Sequence, residues 1–253
     1  MARVFITGSS DGLGLLAGRL LAESGHAVTL HARNEQRAKD AKRALPSCET
    51  VLIGDLASMD ETRELARGAN ERGSFDAVIH NAGVGYQEPR RETPDGLEHI
   101  FAINVMAPYL LTALVPAKRL VYLSSGMHRG GNPDLGDAQW KTRRWNGSQA
   151  YSDSKLYDAV LAFAVARLRP GVYSNAVEPG WVPTKMGGSS APDDLRLGAV
   201  TQVWLATSEE PAALVSGEYF YHQKPHRAHP AVRSSDMQDA LLRYCAELSG
   251  TSL

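Results

Sequence analysis

Val4-Phe-Ile-Thr7-Gly8-Ser-Ser10-Asp11-Gly12-Leu13-Gly14, followed by Leu-Leu-Ala-Gly-Arg-Leu20-Leu21, opens the chain with a short apolar run, a glycine-rich turn and a helical pattern. Leu16, Leu20 and Leu21 share one face of that helix, Gly25 can close it in a left-handed cap, and Ala27 begins a second apolar run. One strand–turn–helix–strand unit therefore fits within residues 3–32. Outward from it, β-rich apolar runs recur at Val4–Ile6, Ala27–Leu30, Val51–Ile53, Ala77–Ile79, Leu120–Leu123 and Val172–Val177, with helix-like stretches between most of them. Strands that are continuously apolar rather than alternating, joined by crossovers of helical length, predict a parallel sheet covered on both faces. The expected architecture is a doubly wound parallel α/β sheet. No Pro/Ser-rich linker, composition break or solenoid-length repeat divides the chain, so residues 1–253 read as a single domain.

Composition narrows the function. Hydrophobic residues make up 43% and charged residues 22%, which excludes wholesale disorder. The 27 basic residues nearly cancel the 28 acidic ones, leaving a formal charge of -1, so no overall positive field recruits nucleic acid or an anionic membrane. No apolar run approaches a membrane span. Cys48 and Cys245 lie far apart without CxxC spacing, which suggests neither a disulfide framework nor a thiolate metal site. The chain runs directly into a strand with no apolar leader, and with the two cysteines this points to the cytoplasm.

The glycine turn has a chemical use. Gly8, Gly12 and Gly14 allow tight torsions and close approach, while the N–H groups and dipole of the following helix favour an anion. Gly8, Ser10, Asp11, Gly12, Leu13 and Gly14 are thus the candidate pyrophosphate cradle, the plain alternative being a glycine-rich connection without a ligand. The second strand ends in His31-Ala-Arg-Asn34, where an acid would bind both ribose hydroxyls of NAD. None is present. Arg33 is instead suited to a 2′-phosphate, with Arg37 one turn away as support, so NADP(H) is the preferred cofactor and NAD(H) is not excluded. Asp11 runs against this, since a carboxylate in the turn does nothing to attract more negative charge. Asp55 and Leu56, after the third strand, stand where adenine would lie, although Asp55 is equally a turn cap.

Tyr151-Ser-Asp-Ser-Lys155 precedes an apolar helical face, Leu156, Val160, Phe163 and Ala164, and its i,i+4 spacing lets Tyr151 and Lys155 address one site. A phenol near pKa 10 needs about 4 kcal/mol of selective phenolate stabilisation to act as a base near neutrality, and a nearby ammonium is a source of it.

Taken together, Thr7-Gly8-xxx-Gly12-x-Gly14, Asn81-Ala82-Gly83, Asn104, Ser125, Tyr151-xxx-Lys155 and Pro179-Gly180 with Thr184 resemble the short-chain dehydrogenase/reductase family, in the family's order and over nearly the whole chain. The resemblance implies a Rossmann fold and hydride transfer between NADP(H) and a carbonyl/alcohol pair. It implies Tyr151 as proton donor or base, Lys155 as the cation lowering its pKa and holding the nicotinamide ribose, Ser125 as the group binding the substrate oxygen, and Asn104 as support for a proton-relay water. Ser124 competes for the Ser125 role. Asn81, Ala82 and Gly83 would stabilise the sheet beside the cofactor, and Pro179, Gly180, Val182 and Thr184 would wrap the nicotinamide.

Two departures bear on the substrate and the assembly. Ser125 and Tyr151 are 26 positions apart, a long excursion that is similar to the retinol-dehydrogenase-like subgroup and carries Trp140 and Trp145. These form either an aromatic wall for an apolar carbonyl or alcohol, or a pin tying the loop to the core. The stretch from Asn104 to Ser125 is short, with Pro116 ending its helix early, which leaves a homodimer as an open partner state beside the small-molecule substrate. Residues 126–150 and 181–194 read as loops near the substrate. A different class of reading is a catalytically idle NADP(H)-binding sensor, against which the intact Tyr-Lys-Ser-Asn set argues. No metal site is expected: Pro225 and Pro230 break the helical spacing of His222, His226 and His229.

Overall fold

The computed structural model describes residues 1–253. Strands β1 (Arg3–Ile6), β2 (Ala27–Ala32), β3 (Thr50–Ile53), β4 (Phe75–His80), β5 (Ala117–Leu123), β6 (Tyr173–Glu178), β7 (Tyr219–Tyr221) and β8 (Lys224–Pro225) form one sheet in the order β3-β2-β1-β4-β5-β6-β7-β8. All neighbours are parallel except the β7–β8 edge pair, which is antiparallel. Pro225 sits in that outermost strand, where its missing N–H costs no ladder bond. The strands expected from the apolar runs are all present, and the sheet is doubly wound about β1.

Helices α1 (Gly12–Glu23), α2 (Glu35–Ala44) and α7 (Leu195–Thr207) cover one face, while α3 (Met59–Glu71), α5 (Ala107–Leu114), α6 (Gly147–Leu168) and α8 (Ser235–Ser249) cover the other. The short α4 (His99–Phe101) runs through a π-helical turn, Ala102–Met106, into α5. Pro116 stops α5, with Val115 as its C-cap. Gly25 ends α1 with φ +79°, the left-handed cap its position implied. Apolar side chains alternate between the faces of each strand, so Ile6, Ile79, Val121 and Val177 pack under α1 and α7.

Register sets the functional edge. Ile6 pairs with Ile79, Ile79 with Val121, and Leu123 with Val177, so Thr7, Asn81, Ser124 and Glu178 leave the sheet close together at its C-terminal edge. β1 lies where the winding reverses, between β2 and β4, and a crevice opens there in such sheets.

Behind this edge, His80 is buried beside Tyr122 with ring centroids 4.6 Å apart, and its Nε2 lies 3.2 Å from Thr112 Oγ1. Burial pushes its pKa down to about 3, and that of His128 down to about 4. Both rings stay neutral in the fold while an unfolded imidazole protonates near 6.5. Their stability is therefore whole above that pH and is lost as pH falls toward the folded values. Urea unfolding should show stability dropping between pH 6.5 and pH 5, and His80→Gln should remove roughly 2 kcal/mol of that drop. An unchanged slope in the variant would place the acid sensitivity elsewhere.

Candidate active site

The cradle is fastened from behind. Asn81 Nδ2 donates to Thr7 O and Gly8 O, each at 3.0 Å, and the Ala82 N–H donates to Thr7 Oγ1 at 3.0 Å. His31, fully buried at the end of β2, accepts the Gly8 N–H on Nδ1 at 2.8 Å, so the ring proton sits on Nε2 and is donated to Gly54 O at 2.8 Å. Burial lowers the His31 pKa, which keeps this tautomer neutral. Gly8 has φ +59°, and a Cβ there would lie 2.6 Å from Ala82 Cα. At Gly14 a Cβ would lie 2.7 Å from Gly8 O, so α1 could not seat against the turn.

The front of the cradle is open. Asp11 occupies the N-cap position of α1, yet its side chain makes no capping hydrogen bond, and the first N–H groups of the helix are left for another acceptor. The Asp11 carboxylate turns instead to Arg37 Nη2 at 2.6 Å and Lys185 Nζ at 2.7 Å, while Arg37 Nε donates to Ser10 Oγ at 3.0 Å. Burial disfavours its charge, but the bonds from Lys185 and Arg37 outweigh that and hold its pKa below the usual range. Arg33 is exposed at the cleft wall and carries no side-chain hydrogen bond or ion pair.

A single cleft of about 730 Å³ collects most of the expected residues. Gly8, Ser10, Asp11, Gly12 and Leu13 line it from the turn, and Arg33 from just beyond β2. Asp55, Leu56, Asn81, Ala82 and Gly83 line it below, and Tyr151, Lys155, Pro179 and Thr184 at the far end. Asp55 accepts the Ala57 N–H on Oδ1 at 3.0 Å, so it caps its turn while facing the cleft. Gly14 supports the turn from outside. Gly180 has φ +85°, and Trp181 N beyond it donates to Asp193 Oδ2 at 2.6 Å, while Val182 is buried and its carbonyl accepts the Thr184 N–H. These two shape the 181–194 loop rather than the cleft wall. Asn104 is also set back: its Oδ1 accepts the Val84 N–H at 2.9 Å and its Nδ2 donates to Val84 O and Ser154 Oγ.

Tyr151 and Lys155 lie in α6, which begins at an Asn146 cap that accepts the Gln149 N–H. Of the two candidate serines, Ser124 lines the cleft but donates its hydroxyl to Lys155 O at 2.8 Å, whereas Ser125, outside the lining residues, accepts the Met127 N–H and bonds with the Tyr151 phenol. Lys155 Nζ donates to Leu123 O and stands 6.0 Å from the Tyr151 ring. One charge at that distance is worth about 3 kcal/mol at an effective dielectric of 20, or about two pKa units. Burial dominates here: it pushes the Tyr151 phenol up to about 12, with Ser125 pulling it back and Asp158 and Tyr86 adding to the rise, and Lys155 is not among the groups that shift it. The acidified phenol expected from the i,i+4 pair is thus absent from this structure, and Tyr151 is a protonated donor.

The long excursion resolves in favour of a pin. Trp140 is buried, Trp145 packs edge-on against it at 5.3 Å, and the Arg143 guanidinium lies 3.5 Å over the Trp140 ring while pairing with Asp153 at 2.8 Å. Neither tryptophan lines the cleft. Tyr86, which sequence reasoning passed over, lies beside the phenol but, like the tryptophans, outside the residues that line the cleft, whereas Met186 lines it. Tyr86 meets Tyr151 edge-on at 5.8 Å, and Met186 of the 181–194 loop lies against Gly85, where a Cβ would come within 2.8 Å of it. Lys185 and His31 were also unmarked; a histidine inside an otherwise apolar strand was the signal available.

Residues 2–128 match the family model for short chain dehydrogenases. The chain belongs to the short-chain dehydrogenase family. It is 44% identical to an uncharacterized oxidoreductase of Emericella nidulans, over 100% of this chain and 99% of that one. It is 40% identical to a short-chain dehydrogenase of Penicillium rubens with the same coverage. Retinol dehydrogenase 13 of Homo sapiens is 32% identical over 98% of this chain and 84% of its own, in line with the subgroup read from the long excursion. Among solved structures, an uncharacterized protein from Mycobacterium paratuberculosis superposes with TM-score 0.86 over 100% of this chain and 94% of that one at 25% identity. A short chain dehydrogenase from Shigella flexneri complexed with NADP gives 0.66 over 88% and 97%, also at 25% identity. This short-chain dehydrogenase is an oxidoreductase of a family that uses nicotinamide cofactors, and none of its helices is long and apolar enough to cross a membrane.

The buried His31 is the most testable element of the cradle. His31→Leu strands the Gly8 N–H without an acceptor at a cost of about 1–3 kcal/mol. Thermal melting should fall and dinucleotide Kd should rise roughly ten-fold, read by fluorescence titration. Wild-type affinity in a folded variant would show that the turn keeps its shape without the imidazole.

Proposed function

We propose that this short-chain dehydrogenase is an NADP(H)-preferring carbonyl reductase acting on an apolar substrate, with Tyr151 as general acid. The observation that carries the reading is the presence of Tyr151 and Lys155 in the same cleft as the uncapped start of α1. The residues fit the dinucleotide. The free N–H groups of α1 would receive its pyrophosphate, Gly12 leaves the backbone bare for it while Gly8 and Gly14 let the turn pack against the sheet, and Asp55 and Leu56 would flank the adenine. Arg33, with no partner of its own, would pair with the 2′-phosphate. Asn81, Ala82 and Gly83 would back the cofactor, and Pro179 and Thr184 would border the nicotinamide.

When bound, the reduced nicotinamide supplies a hydride to the carbonyl carbon. The chain does the rest. Ser125 and Tyr151 donate hydrogen bonds to the carbonyl oxygen as charge grows on it, and the Tyr151 proton moves onto that oxygen. A phenol held protonated above neutrality is loaded for this task, and a preference for NADPH would make reduction the working direction. Lys155 would hold the ribose and balance the phenolate left behind, and Asn104 would fix the 84 strand-end loop that shapes this end of the cleft. Met186 in the lining of the cleft and Tyr86 against the Tyr151 ring support an apolar substrate. The buried thiols Cys48 and Cys245 suit the cytoplasm as the place of action.

A panel of aldehydes and ketones with NADPH tests the assignment. Tyr151→Phe should lose at least about a hundred-fold in kcat on a genuine substrate with dinucleotide affinity kept; undiminished turnover would remove Tyr151 from the chemistry. Arg33→Ala should weaken NADPH roughly ten-fold and leave NADH nearly unchanged. Equal losses for both would reject the 2′-phosphate contact.

A further inference from the structure

Asp158 follows Tyr151 and Lys155 at i,i+7 and i,i+3, so the three share one stripe of α6. Its side chain is 2% exposed, its Oδ2 lies 3.9 Å from Lys155 Nζ, and no hydrogen-bond donor reaches that oxygen. Apart from Lys155, the titratable groups around it are Tyr151 on the same helix, whose ionisation its charge opposes, Tyr122 of β5, hydrogen-bonded to Thr112 of α5, and His80 of β4 beyond Tyr122. Arg169 is turned away to Thr112 O. His80 is neutral and Tyr122 is held protonated by burial, so Lys155 is the cation that faces Asp158.

An unpaired carboxyl in such a place is costly, and so is an unpaired ammonium. Burial raises the Asp158 pKa and lowers that of Lys155, while each group's charge favours ionisation of the other. The two charges therefore stand or fall together. Lys155 otherwise has only the Leu123 carbonyl to stabilise its positive form.

We propose that Asp158 is a positioning residue of the proton machinery: its carboxylate is the buried counter-charge that keeps Lys155 an ammonium and holds it in the cleft beside Tyr151. In the state with one proton between them, the proton resides on Lys155 Nζ and not on Asp158 Oδ2. The proposal rests on the reading of Tyr151 and Lys155 as the reactive pair, but it is measurable without turnover.

NMR titration of the protein carrying 13C-labelled lysine and aspartate, assigned with Lys155→Met and Asp158→Asn, reads both groups directly. At about pH 8, Asp158 should be a carboxylate and Lys155 an ammonium in the wild type; a protonated Asp158 or a neutral Lys155 there would overturn the proposal. In Asp158→Asn the Lys155 titration should move down by about one unit or more, and an unmoved titration would also overturn it. The kinetic companion is the pH at which alcohol oxidation rises as Tyr151 ionises. It should shift up by about one unit in Asp158→Asn, because the phenolate loses its cation. A downward shift would mean that Asp158 acts on Tyr151 as a bare like charge, against the proposal. Should Asp158→Asn fail to fold, the wild-type titration decides alone. Failure of the function reading is separate: full turnover in Tyr151→Phe would leave both NMR titrations as they are.

Discussion

The start of α1 is left without a side-chain cap, and the surrounding structure is built to make that tolerable. A helix N-terminus with open N–H groups is a site of partial positive charge that ordinarily collects the nearest side-chain oxygen. Asp11 occupies the position from which it would do so and is drawn off by Arg37 and Lys185. The turn is meanwhile held by groups that approach from the sheet side only: Asn81, the Ala82 N–H and the neutral His31 ring. Asn81 ties down the carbonyls of Thr7 and Gly8, the Ala82 N–H holds the Thr7 hydroxyl, and His31 takes up the Gly8 N–H. The donors are aligned before any anion arrives, which reduces the ordering cost of binding one.

The other end of the cleft rests on a balance between burial and charge. Burial of Tyr151 opposes its ionisation more strongly than an ammonium at 6.0 Å promotes it. For a base this would be a defect, but for a donor to a developing alkoxide it is an advantage, since the proton is present across the physiological range. The same environment that keeps Tyr151 loaded makes a lone Lys155 charge expensive, and a carboxylate deep in the helix is the cheapest remedy available to a chain whose sheet supplies no other anion there. Catalytic polarity and internal packing are thereby settled by the same helix stripe.

Much of this was legible in the sequence because it depends on local patterns. Apolar runs reported six of the seven parallel strands, all but β7, and the glycine turn with Tyr151 and Lys155 reported the two ends of one cleft. The hydrogen bonds commit the Ser124 hydroxyl to the backbone of α6, although Ser124 and not Ser125 lines the cleft. What the sequence hid depends on pairings between distant residues. His31 looks like one polar interruption in β2 until Gly8 is placed against it, and Asp158 looks like a solvated helical position until α6 is seen to be buried on nearly all sides. Trp140 and Trp145 could not be assigned to wall or pin without knowing that Arg143 and Asp153 close over them.

Asp11 shows how such a distant pairing changes the meaning of a residue. Read alone, a carboxylate in a phosphate turn argues against a doubly charged ribose phosphate. With Arg37 and Lys185 both on it, the local balance is two cations to one anion, and the unpaired Arg33 adds a third. The rim is therefore net positive where the sequence suggested cancellation. Lys185 is next to Met186, which lies against Gly85 near the phenol, so a single short run of the 181–194 loop touches the phosphate turn with one side chain and the substrate end with the next.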